Sequence, residues 1–130
     1  MGLNDIERNT VVTLQREKAH KFISQAKLMC NQSFWDLAAN RYYYACYHII
    51  QALFIQRGLS AKTHSGLLRT FGQNFILTNI VDDKFGPFLA KLMQLRIKAD
   101  YNCSFNASEA DVTNIAKGAE ELVDVIDTML

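Results

Sequence analysis

The chain has 130 residues, of which 49% are apolar and 21% charged, and its formal net charge is +1. This length and composition predict a single globular domain spanning residues 1–130 and exclude a disordered chain. No apolar run approaches the ~20 residues of a membrane span, and the first residues lack the pattern of a signal peptide, so we expect a cytoplasmic protein without a membrane partner.

Apolar residues recur at three- and four-residue steps in five successive segments, which is the pattern of amphipathic helices. No segment alternates apolar and polar residues in the way of a β-strand. Because the breaks between the segments are short, consecutive helices should be antiparallel neighbours, and we expect an all-α, up-and-down bundle of four or five helices. The predicted helices are Asp5–Cys30, Ser33–Arg57, His64–Ile76, Pro87–Asp100 and a last one that begins after Ser108.

Five residues mark the expected ends of these helices. Ser33 should cap the second helix, since an acid follows three residues later, and Gly58 should end it in a left-handed conformation. Pro87 suits the first position of the fourth helix, where its missing N–H is no loss. Ser108 and Asp111 have the spacing of a capping box, which predicts the start of the last helix.

The charges are unevenly distributed along the chain. Residues 41–98 carry eight lysines and arginines against two aspartates, whereas residues 99–130 carry one lysine against seven acids. Two interpretations fit this split. Either the acidic last helix pairs with basic helices inside the bundle, or the basic middle of the chain presents a face to an anionic ligand.

The three cysteines, Cys30, Cys46 and Cys103, are widely spaced and are not combined with histidines at zinc-ligand intervals. We therefore expect reduced thiols. Phosphate-binding glycine loops and zinc-protease motifs are also missing from the sequence, so it predicts neither a metal site nor a cofactor.

A first polar cluster lies at the end of the predicted fourth helix. Arg96 and Asp100 are one helical turn apart, with Lys98 between them and Tyr101 beside them. This spacing is typical of an ion pair that fixes a helix end.

Two further clusters carry histidine. In the second helix Tyr44 and His48 are one turn apart, and Arg41 precedes Tyr44 by nearly a turn; a histidine among tyrosines is either a hydrogen-bonded core group or a ligand-binding one. Lys62 and His64 flank the start of the third helix. Free amides and basic side chains there suit a phosphate, although capping of the helix by the intervening threonine explains the same residues.

The three clusters together resemble the HEPN superfamily. The segments are A-x-x-R-Y-Y-Y-A-C-Y-H at residues 38–48, G-L-x-x-K-T-H-S at residues 58–65 and R-I-K-A-D-Y at residues 96–101. They are most similar to the branch of small bacterial and archaeal proteins that is commonly paired with a minimal nucleotidyltransferase. The resemblance extends from the first helix to the last, and it implies a four- or five-helix bundle that forms a homodimer. It also implies, for several members, metal-independent ribonuclease activity as toxins.

The resemblance also points to a particular site. The signature of the active members is an arginine followed four to six residues later by a histidine; Arg96 matches the arginine, but Tyr101 stands in the place of the histidine. An unperturbed phenol ionises near pH ~10 and imidazole near ~6.5, so the tyrosine is a poor proton carrier at neutral pH. His48 or His64 would replace the missing group only if the fold brought one of them to Arg96.

Three functions are consistent with the sequence. The first is a binding and regulatory module, which dimerises, partners a nucleotidyltransferase in a toxin–antitoxin-like pair and binds nucleotide or RNA near Arg96, Lys98 and Tyr101. In that case Tyr101 is a candidate acceptor for a nucleotide from the partner. The second is a ribonuclease toxin that uses Arg96, Asp100 and Tyr101, and the third is a helical scaffold without a ligand.

Overall fold

The computed structural model describes residues 2–130, and within them it has helices but no β-strand. The long helices are α1 (Asp5–Asn31), α2 (Trp35–Arg57), α4 (Phe85–Tyr101) and α5 (Glu109–Asp127). Between α2 and α4 lie the short helix α3 (His64–Phe71) and a π-helical segment (Gly72–Ile76) that continues it. The predicted all-α bundle is therefore confirmed, and each predicted helix is present.

The core is built around α2, which packs against α1, α4 and α5. Alanines such as Ala19 and Ala26 on α1 are completely buried, and their small size lets α1 approach α2 closely along its length. Burial of large apolar side chains supplies most of the stabilisation, at roughly 1.5–3 kcal/mol for each. The largest fully buried side chains of the described residues include Ile49, Ile50, Leu53, Phe54, Phe71, Phe85, Leu92, Ile115, Leu122 and Ile126.

Two of the four helix ends predicted from marker residues are confirmed, those at Gly58 and at Ser108. Gly58 ends α2 with φ = 72°, a left-handed conformation that glycine adopts without steric strain. Ser108 and Asp111 form both hydrogen bonds of the capping box at α5. At the start of α3, Thr63 Oγ1 accepts a hydrogen bond of 2.9 Å from Gly66 N, and this cap fixes the position of His64 as the first helical residue.

The prediction that Ser33 caps α2 is wrong. Ser33 has φ = 59° and belongs to the tight turn that follows α1, where its N–H donates to Cys30 O. Phe34 occupies the cap position and makes no side-chain cap bond. The acid expected to complete that cap, Asp36, instead accepts a hydrogen bond of 2.6 Å from Ala107 N, far along the chain.

The position of Pro87 also differs from the prediction. Helix α4 begins two residues earlier, at Phe85, whose N–H donates to Asp82 O at 3.2 Å. Pro87 thus lies within the first turn, where the backbone N–H still has no helical acceptor and its absence is tolerated. The third helix does reach Ile76 as predicted, but its last turn widens: Leu77 N donates to Gly72 O at 2.9 Å, across five residues.

The acidic last helix pairs inside the bundle, but mainly with α1 rather than with the basic middle of the chain. Lys27 on α1 lies 3.0 Å from Glu120, and both Arg16 and His20 contact Asp127. Lys84, just before α4, lies 2.9 Å from Glu121. Within residues 2–130, the other basic side chains of residues 41–98 apart from Arg96 form no salt bridge; they are Arg41, Arg57, Lys62, Arg69, Lys91 and Lys98.

Among the described residues, none of the helices combines the length and the apolar character required to cross a bilayer.

Candidate functional site

Polar and aromatic side chains from α2, α3 and α4 meet at one place in the bundle, and we call this group the Arg96 cluster. Helix α2 contributes three tyrosines on neighbouring positions, α3 contributes its first residue, and α4 contributes an arginine and an aspartate one turn apart. The members of the cluster are Tyr43, Tyr44, Tyr47, His64, Arg96 and Asp100.

Arg96 is held mainly by an aromatic ring and a single carboxylate. Its guanidinium carbon lies 5.4 Å from the centre of the Tyr43 ring, and Nε lies 3.3 Å from Asp100 Oδ2. That contact has ion-pair distance without hydrogen-bond geometry, so Nε is buried with no hydrogen-bond acceptor among residues 2–130. Burial lowers the pKa of Arg96, but the neighbouring phenols and the Asp100 carboxylate outweigh it and raise the pKa, so the side chain stays cationic.

His64 is held on the other side of the same tyrosine. A hydrogen bond of 2.6 Å joins Tyr43 Oη and His64 Nδ1, and the tautomer of the imidazole decides which of the two donates. The imidazole also stacks on Tyr47, with ring centres 4.6 Å apart and planes 21° apart. Burial and the charge of Arg96 lower the pKa of His64, while Asp100 partly opposes them. The imidazole is therefore mostly neutral near pH 7.

Tyr43 itself is almost fully enclosed, with 3% of its surface exposed. Burial raises the pKa of its hydroxyl above the ordinary value, although the charge of Arg96 acts in the opposite direction. The phenol is therefore neutral at any physiological pH and serves as a rigid hydrogen-bonding link. Because its ring contacts Arg96 and its hydroxyl contacts His64, Tyr43 fixes these two side chains relative to each other.

Arg41 and His48 lie on an adjoining surface formed with α1. His48 Nδ1 is 2.6 Å from Gln15 Oε1, and Arg41 Nε donates to Gln25 Oε1 at 2.8 Å. Burial, with a contribution from Lys18, lowers the pKa of His48 to about 4. Tyr44 connects this surface to the Arg96 cluster, since its ring lies 6.3 Å from that of His48 and 5.9 Å from that of His64.

Besides Arg41 and His48, three more of the predicted site residues lie outside the cluster. Tyr101 is 78% exposed and makes no side-chain hydrogen bond or ring contact within residues 2–130. Lys98 lines a different depression, between α4 and α5, together with Phe105 and Asp111. Lys62 is exposed in the loop before α3. The structure thus brings Arg96, Asp100, Tyr44 and His64 together and leaves Tyr101, Lys98 and Lys62 at the surface around them.

Tyr43 and Tyr47 were not among the site residues predicted from the sequence. The signal that would have found them is the four-residue spacing of Tyr43 and Tyr47, the same spacing that drew attention to Tyr44 and His48. A small pocket opens beside Tyr43 and Arg96 and is lined by Ala39, Asn40, Leu92, Leu95, Ala99 and Asp100. In the part of the chain that the structure describes, no group of three or more His, Cys, Asp or Glu side chains is arranged to hold a metal ion.

Comparison with known proteins extends the match seen in the motifs. A family model described as "HEPN domain" matches residues 12–129. A Thermotoga maritima protein named "UPF0332 protein" is 29% identical over 124 residues, which cover 95% of this chain and 94% of that protein. A Methanocaldococcus jannaschii protein named "Putative toxin MJ0605" is 32% identical over 114 residues, 88% of this chain and 84% of its own length. All helices that form the Arg96 cluster lie within the matched region.

Proposed function

The chain belongs to the HEPN domain family, and on that premise we propose that it is a binding module of a toxin–antitoxin-like pair, which holds a phosphate group of RNA or of a nucleotide at Arg96. The name of the Methanocaldococcus jannaschii relative, "Putative toxin MJ0605", is consistent with this role.

The observation that carries the proposal is the incomplete pairing of Arg96. The exposed fraction of its side chain is 19%, and its one charged partner, Asp100, is 42% exposed and does not satisfy Nε. A guanidinium has five N–H donors in a planar fork that matches the oxygens of a phosphate. A phosphate beside Arg96 would supply hydrogen-bond acceptors and negative charge, which Asp100 provides only in part.

The surrounding charges support an anionic ligand. The acids of α5 that form salt bridges with other elements, Glu120, Glu121 and Asp127, pair with α1 and with Lys84 and not with the remaining basic residues of α2 to α4. Unpaired lysines and arginines raise the local concentration of anions and speed their association. Lys62 and Lys98, predicted as ligand contacts, would act in this way as exposed charges around the cluster rather than as members of it.

A homodimer is the second part of the proposal. One face of α4 carries apolar residues at helical spacing that the bundle leaves uncovered: Ala90, Met93, Ile97 and Tyr101. Ile97 is 46% exposed, and an apolar groove formed with Leu68 and Ile76 lies beside Met93. Pairing of two copies through this face would cover the apolar surface and bring the two Arg96 residues towards the same interface.

The dimer is tested by light scattering coupled to size-exclusion chromatography. Ile97→Glu places a charge on the proposed interface and is expected to give a monomer, whereas Leu28→Glu changes an equally exposed leucine on α1 and should leave the dimer intact. A wild-type chain that is monomeric at micromolar concentration would remove this part of the proposal.

A nucleotidyltransferase is the proposed protein partner, and Tyr101 is its proposed target. The phenol is the most exposed aromatic side chain near the cluster, so a partner active site can reach it without unfolding the helix. Transfer from ATP would join the phenol oxygen to the α-phosphorus and release pyrophosphate. Intact mass before and after incubation with a neighbouring nucleotidyltransferase and ATP tests this step; an unchanged mass, or an increase that persists in Tyr101→Phe, would exclude Tyr101 as the acceptor.

Ligand binding is tested with a fluorescently labelled single-stranded RNA and, separately, with labelled ATP, by anisotropy. Arg96→Ala is expected to weaken RNA binding roughly 10- to 100-fold, since a charge-assisted hydrogen bond contributes about 1.5–3 kcal/mol. The control is Lys117→Ala, which removes the same charge from an exposed position on α5 and should change the affinity less than twofold. Thermal unfolding checks that both variants are folded.

The two alternative functions predict different outcomes. A scaffold in which the Arg96–Asp100 pair only ends α4 predicts that Arg96→Ala alters stability by about 1 kcal/mol or less and has no effect on ligand binding. A ribonuclease that relies on Arg96, Asp100 and Tyr101 predicts that Tyr101→Phe abolishes RNA cleavage. The position of Tyr101 outside the cluster argues against this second version, because the phenol is not held near Arg96.

A further inference from the structure

We propose that His64 is the proton-transfer residue of this site and Tyr43 its positioning residue, so that RNA held at Arg96 is cleaved by its own 2′-hydroxyl. The inference rests on the proposed binding of RNA at Arg96. In this proposal His64, which lies on α3, is the proton carrier that the end of α4 lacks.

One buried side chain, Tyr43, holds both functional groups. The guanidinium carbon of Arg96 lies 5.4 Å from the centre of the Tyr43 ring, and the Tyr43 hydroxyl lies 2.6 Å from His64 Nδ1. Tyr43 has 3% of its surface exposed, so packing allows it little movement. A rigid link of this kind keeps a phosphate-binding cation and an imidazole at a constant separation, as catalysis requires.

The imidazole of His64 is held in place and leaves one nitrogen free. Tyr43 engages Nδ1, the stacking of the ring on Tyr47 fixes its plane, and Nε2 makes no hydrogen bond within residues 2–130. When Nδ1–H donates to the phenol oxygen, Nε2 keeps its lone pair and acts as a base. The groups that face the ring are the three tyrosines of α2 together with Arg96 and Asp100 of α4, and the net effect of burial and Arg96 keeps the imidazole neutral near pH 7.

The reaction balances with these groups alone. The proton of the 2′-hydroxyl passes to His64 Nε2 while the 2′-oxygen bonds to phosphorus and the P–O5′ bond breaks. Arg96 neutralises the charge that grows on the non-bridging phosphate oxygens. The leaving 5′-oxygen takes a proton from solvent, the imidazolium returns its proton to solvent, and the products are a 2′,3′-cyclic phosphate and a 5′-hydroxyl end.

The other candidates for the proton carrier are less well placed. His48 Nδ1 is engaged by Gln15 on α1, and its pKa of about 4 makes it a weak base. Asp100 is already paired with Arg96. His64 is therefore the only histidine among residues 2–130 whose hydrogen-bonding partner, Tyr43, also contacts Arg96.

The experiment follows cleavage and binding of the same end-labelled single-stranded RNA in the presence of EDTA. Wild-type protein is expected to cleave, and His64→Gln should cleave at least ~100-fold more slowly, within the 10²–10⁴ range of general acid–base catalysis, while binding within about threefold of wild type. His20→Gln is the matched control, since His20 lies on α1 and pairs with Asp127, and it should cleave at the wild-type rate. RNA with 2′-O-methyl groups should bind without being cleaved.

A second variant tests the positioning role. Tyr43→Phe keeps the ring that contacts Arg96 but removes the acceptor for Nδ1–H, so RNA binding should persist while cleavage falls by about tenfold. Because that acceptor stabilises the imidazolium more than the neutral ring, its loss should also move the rising limb of the pH–rate profile to lower pH. A variant that merely loosened the fold would not move this limb.

The outcomes separate this inference from the proposed function. If wild-type protein binds RNA in an Arg96-dependent manner but shows no cleavage between about pH 5 and 8, or if His64→Gln cleaves as fast as wild type, the inference is wrong and the binding proposal is retained. If wild-type protein binds no RNA, both fail.

Discussion

The carboxylate of Asp100 offers a sharp test of what Arg96 is for. It lies 3.3 Å from Arg96 Nε and is 42% exposed, so a phosphate that binds Arg96 must share the guanidinium with it. Asp100→Asn removes the negative charge and keeps the shape of the side chain. For a ligand-binding Arg96, we therefore expect tighter binding of an anion, which is the opposite of the effect expected from most substitutions in a binding site.

The size of the effect follows from the geometry. Two anions on either side of one guanidinium are roughly 6 Å apart, and their repulsion is about 0.7 kcal/mol in water and about 2.8 kcal/mol at the effective dielectric constant of a protein surface. The exposure of Asp100 puts it nearer to the aqueous limit. We expect a gain of about 1 kcal/mol, or roughly fivefold in affinity. The loss of an exposed i, i+4 ion pair should lower the free energy of unfolding by only about 0.5 kcal/mol.

The assay is anisotropy of labelled RNA at about 0.15 M salt, with thermal unfolding of the same samples. Asp124→Asn is the control, because it makes the same charge change at an exposed position on α5. An unchanged or weaker affinity for Asp100→Asn would mean that the Arg96–Asp100 pair only ends the helix. A loss of cleavage without a loss of binding would assign the base to Asp100 instead of His64.

Three further predictions concern the scaffold that holds the site. Ser108→Ala breaks the capping box of α5 and should lower the free energy of unfolding by about 1 kcal/mol without changing RNA binding, which thermal unfolding and anisotropy measure together. Gly118→Ala places a Cβ 2.5 Å from Phe88 Cδ1 and should destabilise the fold by about 1–3 kcal/mol, despite the higher helix propensity of alanine. Partial recovery of stability in a double variant with Phe88→Leu would identify the clash as the cause. Full wild-type stability of the single variant would contradict it. The pKa of His48 is about 4 in the folded chain, below its ordinary value of 6.5. As the pH falls, the imidazole is therefore protonated in the unfolded chain before it is protonated in the folded chain. The free energy of unfolding should thus decrease between about pH 6.5 and 4. His48→Gln should flatten that part of the dependence in urea unfolding measured across this pH range, and an unchanged slope would show that other groups dominate it.

The helices were predictable because their signals are local. Apolar spacing, Gly58 after α2 and the box formed by Ser108 and Asp111 involve residues within a turn or two of each other, and all of them behave as expected. The cap at Ser33 has an equally good local signal but was wrong. Its acid, Asp36, binds Ala107 N from the loop before α5, and only the folded bundle brings these groups together.

In the candidate site, too, only the contacts between residues close in sequence were predictable. The spacing of Arg96 and Asp100 identifies their pairing, because both lie on one helix. Three consecutive tyrosines point in three directions around α2, and the sequence does not say which direction faces α4. Which tyrosine contacts Arg96 depends on where α4 packs against α2. Whether His64 joins the same cluster depends on where α3 packs. Tyr101 drew attention because it is close to Arg96 in sequence, yet Tyr43 is its neighbour in space.

The distribution of charges in the bundle is consistent with the position of the proposed site. Three acids of α5 form salt bridges with other elements: Glu120 and Asp127 with α1, and Glu121 with Lys84 at the beginning of α4. The Arg96 cluster lies near the other end of α4. At the same time an apolar groove separates much of α3 from α4, so Tyr43 is the main link between His64 and Arg96. A phosphate held by both residues would join α3 to α4 directly. A ligand bound in this way would stabilise the folded chain and, with it, the geometry of the proposed site.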